Sequence, residues 1–220
     1  MLFNSPIYIF LFLPVVVLVY YSLNSRRLVV AGKAWLVLAS LFFYGYWKPA
    51  YLLLIISSML VNFAIGSALH KNKQSDQGRH NQPSRKIVLI FGVIFNLGLL
   101  GYFKYFDFML ENINWLTGSS FDLLHLALPL AISFFTFQQV AYLVDCYQKD
   151  TQEYDFLSYC LFVSFFPQLI AGPIVHHHQM MPQFTRFKNK VVRWNYILTG
   201  VIIFSVGLFK KVVIADTFAV

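Results

Sequence analysis

Charge is what this chain has least of. Asp, Glu, Lys and Arg make up 12% of its 220 residues, against about 25% in a soluble globular domain. The acids number nine and are scattered, so paired carboxylates for general acid–base work are nearly absent. Cysteine is scarce too. Cys146 and Cys160 are the only two, with neither the paired spacing of a zinc site nor a secreted disulfide framework. Cys160 lies in an apolar run and reads as a small buried hydrophobe; Cys146 stands at a span end, where packing competes with lipidation. No GxSxG elbow, glycine-rich phosphate loop, HExxH or CxxC pair occurs, which excludes the chemistries those patterns signal. No repeat on the solenoid scale of about 20–50 residues is evident.

What fills the chain instead is apolar. Hydrophobic residues reach 58%, with 24 Phe, 13 Tyr and a mean hydropathy of +0.62. A water-soluble sphere of this size could not hide so much apolar surface. The expected fold class is all-α, a polytopic transmembrane helical bundle of about six to seven hydrophobic segments. The net charge of +8 sits in short basic clusters between apolar runs, the distribution of cytoplasmic loops rather than of a nucleic-acid groove. Membrane lipid is therefore the expected surrounding, and nucleic acid is not an expected partner.

In order, Met1–Leu23 reads as a first span with Pro14 a tolerated kink. It lacks a basic n-region and a small-x-small cleavage site, so a removed signal peptide is not expected. Arg26, Arg27 and Lys33 place its far end inside. Ala34–Trp47 forms a second span closing on an aromatic belt of Tyr44, Tyr46 and Trp47, and Tyr51–Leu69 a third. Residues 70–86 form a basic cytoplasmic loop, with Lys71, Lys73, Arg79, Arg85 and Lys86 against Asp76. Ile87–Phe106 is the fourth span, Asp107–Asp122 an outside loop and Leu123–Val144 the fifth span, which puts the N-terminus outside. Trp194–Leu208 begins a last hydrophobic helix, followed by Lys210-Lys211 and Val212–Val220.

Two places carry polar or broken features that lipid does not tolerate. The fifth span holds Gln138 and Gln139 side by side, costly in hydrocarbon unless they face the bundle or a cavity. Interhelical glue worth about 1 kcal/mol each and the lining of a site both account for them. The second place is the segment 164–184. Phe156–Ala171 is short of the roughly 20 residues of a full span. The helix arrives at Phe166, meets Pro167, passes Gln168 and breaks again at Gly172-Pro173. A full crossing would put Arg186, Lys188, Lys190 and Arg193 outside, so a re-entrant segment that dips in and returns is expected. Broken backbone at membrane depth must be buried in protein or line a watery cavity. His176, His177 and His178 follow. Adjacent helical residues point to different sides, so one metal ion does not gather all three. His177 is a candidate general base, beside the plainer reading of an interfacial polar loop. Physics alone suits a transporter or channel equally well, and a structural membrane subunit without catalysis is a third class.

The run Phe165-Phe166-Pro167-Gln168-Leu169-Ile170-Ala171-Gly172-Pro173-Ile174, closing on Met181-Pro182-Gln183-Phe184, resembles the signature of the membrane-bound O-acyltransferase family. The likeness is to the branch of alginate O-acetylation and D-alanyl transfer proteins. Leu41–Trp47, Gly101–Phe106, Leu128–Gln138, Tyr142–Asp145 and Gly207–Asp216 agree in order, so the resemblance covers essentially the whole chain, residues 1–220, as the N-terminal portion of such a fold. It implies a multi-pass protein of the bacterial inner membrane. It further implies O-acetylation of an extracytoplasmic polysaccharide such as alginate, with partner polysaccharide-modifying acyltransferases. Acetyl-CoA or a similar acyl thioester would be the donor substrate rather than a resident cofactor. On this reading Gln138, Gln139 and Gln168 with Gly172 and Pro173 serve the acyl site, and Arg186 and Lys188 attract donor phosphates. The family's Asp-Phe-Ser-Gly-Tyr segment and catalytic histidine follow its Lys-Lys-Val-Val-Ile-Ala-Asp stretch and have no counterpart among these residues. The chain is thus expected to be a fragment, inactive alone, with no catalytic residue of the family's own.

Overall fold

The computed structural model describes residues 2–46, 48–74, 83–148, 155–170, 172, 177–186 and 190–218, with backbone alone at 71–74, 83–84, 177–179 and 185. The described residues are all-α, with no strand. The helices are α1 (Tyr8–Ser25), α2 (Val29–Gly45), α3 (Ala50–Gln74), α4 (Pro83–Thr117), α5 (Ile132–Gln148), α6 (Phe156–Ser164), α7 (Phe166–Leu169), α8 (His177–Thr185) and α9 (Trp194–Phe218). Stretches within α1, α3, α4 and α9 are long and apolar enough to cross a bilayer, and α2 is a shorter apolar helix. The chain is a multi-pass membrane helical protein. It divides into a terminal unit, Met1–Ala39 with Pro182–Val220, and a central unit, Ser40–Met181.

In the terminal unit α1 opens with a π-helical turn, Tyr8–Phe12, in which the Leu13 N–H reaches back to the Tyr8 carbonyl. The widened turn lies just before Pro14, which has no N–H to give, so the helix passes the proline unbroken. Its other end is a Schellman closure: Leu28 N–H donates to Leu23 O at 3.0 Å and Arg27 N–H to Asn24 O at 3.0 Å. Arg27 occupies the left-handed position at φ +61°, where glycine is usual. The α2 helix returns against α1, Trp35 donating its indole N–H to Val16 O at 3.1 Å. The last helix, α9, buries no residue. It runs on through a π-helical stretch, Lys210–Ala215, rather than ending at Leu208. Lys211 pairs with Asp216 there, and the pairing offsets the cost of two charges on an apolar helix.

In the central unit α5 packs against α3, α4 and α6. Arg85, in the first turn of α4, donates to Tyr147 O at 3.1 Å and lies 5.2 Å from the centre of the Tyr147 ring. A cation there satisfies an orphan carbonyl at the end of α5 and suits the negative end of its dipole. The basic segment expected at 70–86 is narrower than its composition suggests, since α3 continues to Gln74 and α4 starts at Pro83; its middle, 75–82, lies outside the described residues. Tyr44, expected in an interfacial belt, is instead 1% exposed, while Tyr46 is exposed and Trp47 is not among the described residues.

The largest departure concerns residues 107–131. The helix does not stop at Phe106 but runs to Thr117, where Gly118 at φ +67° ends it in the conformation only glycine takes freely. The fifth helix begins at Ile132, nine residues later than expected from Leu123. Apolar content alone hid this, because the intervening extended stretch is itself apolar. It is strapped down by polar groups: the Asp107 carboxylate accepts from the N–H of Leu124 and of Leu126, each at 3.0 Å. Asn114 exchanges two hydrogen bonds with the Phe121 backbone, and Tyr51 donates to Ala127 O at 2.8 Å. Replacing Asp107 with Ala should speed amide exchange at Leu124 and Leu126 by about tenfold or more, the loss of two charge-assisted bonds. Unchanged exchange at both amides would contradict the strap.

Candidate functional site

The centre of the central unit is polar. On α3, Ser58 and Asn62 stand one turn apart; Asn96 lies in the middle of α4 and Gln139 in the middle of α5, and all four are buried. Gln139 Oε1 accepts from Ser58 Oγ at 2.7 Å and from Asn62 Nδ2 at 2.6 Å. Asn96 Nδ2 donates to Asn62 Oδ1 at 2.6 Å, and Asn62 Nδ2 lies 3.2 Å from Asn96 Oδ1. Both asparagines also reach back to carbonyls four residues earlier, Ser58 O and Gly92 O. Three helices are thus tied at one level. In hydrocarbon these side chains have no water to fall back on, so the ladder also fixes helix register.

The same unit also holds buried polar groups without a hydrogen-bond partner among the described residues. Gln138 is fully buried, and neither its Oε1 nor its Nε2 has a hydrogen-bond partner among the described residues. The same holds for Gln139 Nε2 and for the hydroxyls of Tyr44, Thr136 and Tyr159. Most buried polar groups are paired, and one that is not calls for a reason such as a ligand, a water or a catalytic role. The two adjacent glutamines therefore differ: Gln139 has its oxygen engaged between helices, while the whole Gln138 amide is uncommitted.

The broken segment packs nearby in the same unit. Asp155 caps α6, accepting from Leu157 N–H at 3.3 Å. Every residue from Ser158 to Ser164 is buried. Tyr159 stacks on Tyr142 of α5 at 4.4 Å between ring centres and lies 5.6 Å from Phe63 of α3. At nine residues, α6 is about 14 Å long, under half the apolar thickness of a bilayer. The break falls at Phe165, with ψ 107°, not at Phe166. Pro167 opens α7 rather than ending α6, because its missing donor costs nothing in a first helical turn. The freed Phe166 N–H donates to Ser40 Oγ at 3.1 Å, and the Phe166 ring packs on Phe43 at 5.6 Å. Broken backbone here is buried in protein and bonded. After α7, Gly172 N–H donates to Gln168 O at 2.9 Å. A Cβ on Gly172 would stand 2.7 Å from the Gln168 Cα and 2.8 Å from its O, so only glycine fits.

Of the residues expected in a site, Gln138, Gln139, Gln168 and Gly172 thus belong to the central unit. Gln168 and Gly172 are half-buried. His177 opens α8, its side chain outside the described residues, as are Pro173, His176 and Lys188 altogether. Arg186 is exposed and belongs to the terminal unit. Cys146 and Cys160 are both buried. The sequence reading missed Ser58, Asn62 and Asn96. Their signal was present, since a lone asparagine inside an apolar run is as costly in lipid as a glutamine.

The two glutamines should separate on substitution. Gln139→Leu orphans Ser58 Oγ and Asn62 Nδ2 and should destabilise the protein by about 1–3 kcal/mol. Gln138→Leu removes an unpaired amide and should leave stability unchanged or raise it. Thermal unfolding in detergent measures both, and equal losses from the two would contradict the assignment.

The profile described as MBOAT, membrane-bound O-acyltransferase family, matches residues 87–220. The chain is 46% identical to a peptidoglycan O-acetyltransferase of Helicobacter pylori over its full length, covering 45% of that protein. It is 34% identical to probable alginate O-acetylases AlgI of Pseudomonas aeruginosa and Pseudomonas syringae, again over its full length and covering 41% of each. The chain therefore spans less than half the length of the curated relatives it matches. No solved structure matches it. With a profile match over most of the chain and relatives aligned along all of it, the protein belongs to the membrane-bound O-acyltransferase family.

Proposed function

We propose that this chain forms the N-terminal portion of a bacterial inner-membrane O-acetyltransferase that passes an acetyl group from a cytoplasmic thioester to an extracytoplasmic polysaccharide. The observation that carries the reading is the fully buried, unpartnered Gln138 amide in a chain whose relatives are named O-acetyltransferases. In the reaction an acceptor hydroxyl attacks the thioester carbonyl, its proton passes to a base, and the thiolate leaves. Negative charge develops on the carbonyl oxygen, and a donor already in place in a dry site stabilises it most. Gln138 Nε2 supplies such a donor without disturbing the Gln139 oxygen that ties α3 to α5. Gln168 and Gly172, in the same unit as Gln138, border the acyl path. The base comes from the remaining length found in the relatives, not from His177.

The acceptor is peptidoglycan or alginate by the names of the relatives, with peptidoglycan favoured by the higher identity. Residues 70–86 face the cytoplasm and the segment 164–184 is re-entrant, which keeps the basic stretch after it inside. A chimera joining residues 1–220 to the remaining length of the Helicobacter pylori relative tests the assignment with acetyl-CoA and peptidoglycan in membrane vesicles. It should transfer acetyl where the 220-residue chain alone does not. Gln138→Leu in the chimera should lower kcat by about 10²–10³, the usual loss of one oxyanion donor, with protein level unchanged. Full turnover in that variant, or turnover by the chain alone that His177→Ala abolishes, would overturn the proposal.

A further inference from the structure

The two units carry very different charge. The terminal unit holds nine lysines and arginines and a single acid, Asp216, while the central unit has eight bases and eight acids. The whole net charge of +8 therefore lies in the terminal unit. Its one acid is already paired with Lys211, so no acid of that unit remains to neutralise the other bases.

That unit also contains a cavity of about 520 Å³ at the end of α1, bordered by Tyr21, Arg27, Val29, Lys190, Val191 and Val192. Arg27 and Lys190 come from opposite ends of the sequence and border the same space. Neither side chain has an ion-pair partner among the described residues. Arg27 is exposed and held at a fixed place by the Schellman closure of α1, and Lys190 is half-buried. The rest of the wall is mainly apolar. Val191 and Val192 are 47% and 41% exposed, and Asn24 and Ser25 complete the lining.

We propose that this cavity binds the phosphodiester headgroup of an anionic phospholipid at the end of α1. Arg27 offers a planar fork of donors suited to two phosphate oxygens, and Lys190 adds a second charge from the other side. The valines of the wall, Val29, Val191 and Val192, receive the first methylenes of the acyl chains. Basic pockets between membrane helices take acidic headgroups in this way. A freely soluble phosphate compound would use the two cations equally well but would gain nothing from the exposed apolar border. The combination of unpaired cations and apolar rim therefore favours the lipid.

The test uses the full 220-residue chain purified in detergent and equilibrated with phosphatidylglycerol and phosphatidylcholine in equal amount, the bound lipid being counted by native mass spectrometry. Phosphatidylglycerol should be retained over phosphatidylcholine by about tenfold or more, the worth of one charge-assisted contact. Arg27→Asn together with Lys190→Gln should abolish the preference; asparagine tolerates the left-handed backbone of position 27, so the helix end is kept. Val192→Trp, which narrows the cavity between its two cations and its apolar wall without changing charge, should also weaken it, whereas Arg26→Asn, off the cavity wall, should leave it intact. A preference that survives both the double variant and Val192→Trp would overturn the proposal. So would displacement of phosphatidylglycerol by equimolar adenosine 3′,5′-bisphosphate, which would give the cavity to a soluble phosphate ligand instead.

Discussion

The Gln139 side-chain oxygen, accepting at once from Ser58 and Asn62, is the constraint on which the central unit depends. Lipid tails are as apolar as leucine side chains, so hydrophobic burial gives membrane helices little reason to prefer one another. Phe91 and Ile94 on α4 and Leu53 on α3 are largely exposed, as suits faces turned to hydrocarbon. What selects one arrangement is the matching of polar groups that lipid cannot satisfy. Ser58 and Asn62 share a face of α3 because they are one turn apart. Once Gln139 engages both and Asn96 closes the set, the axial and rotational positions of α3, α4 and α5 are fixed together.

That arrangement determines what else is positioned. With α5 held by Gln139, the Gln138 side chain is fixed one residue away on the helix, buried without a hydrogen-bond partner among the described residues. Tyr142, one turn further on, stacks on Tyr159 and so brings α6 against α5. The break after α6 is then supported from a different helix, through the Phe166 N–H and Ser40 and the Phe166–Phe43 ring contact. An uncommitted amide thus sits on a helix whose position is fixed by the neighbouring Gln139. This is the arrangement a preorganised donor needs, since an amide already bonded to the protein could not turn to a substrate without losing that bond.

Much of this was legible in the sequence, and the failures have a common cause. Composition gave the membrane class and the helical fold, and the Pro167 and Gly172 positions marked the broken segment to within two residues. Gln138 and Gln139 were recognisable as costly, but their different partners were not, because partnership depends on Ser58 and Asn62 some 80 residues away in the chain. The stretch from Leu123 to Ala131 looked like span because it is apolar. What makes it extended is the Asp107 carboxylate and the Asn114 amide, polar side chains that hydropathy counts only as interruptions. Tyr44 was read as interfacial from its place at a helix end and is buried by tertiary packing. In each case a contact made by a residue distant in the chain, polar or packing, decided the outcome, and hydropathy along the chain does not carry it.

The claim that Gln139 holds the helices while Gln138 does not is tested most directly by two double-mutant cycles on unfolding stability in detergent, Asn62→Leu with Gln139→Leu and Asn62→Leu with Gln138→Leu. The first pair should show a coupling of roughly 1 kcal/mol, at the upper end for hydrogen bonds between membrane helices. The second should be additive within about 0.3 kcal/mol. Additivity in the first cycle, or an equal coupling in the second, would contradict the account.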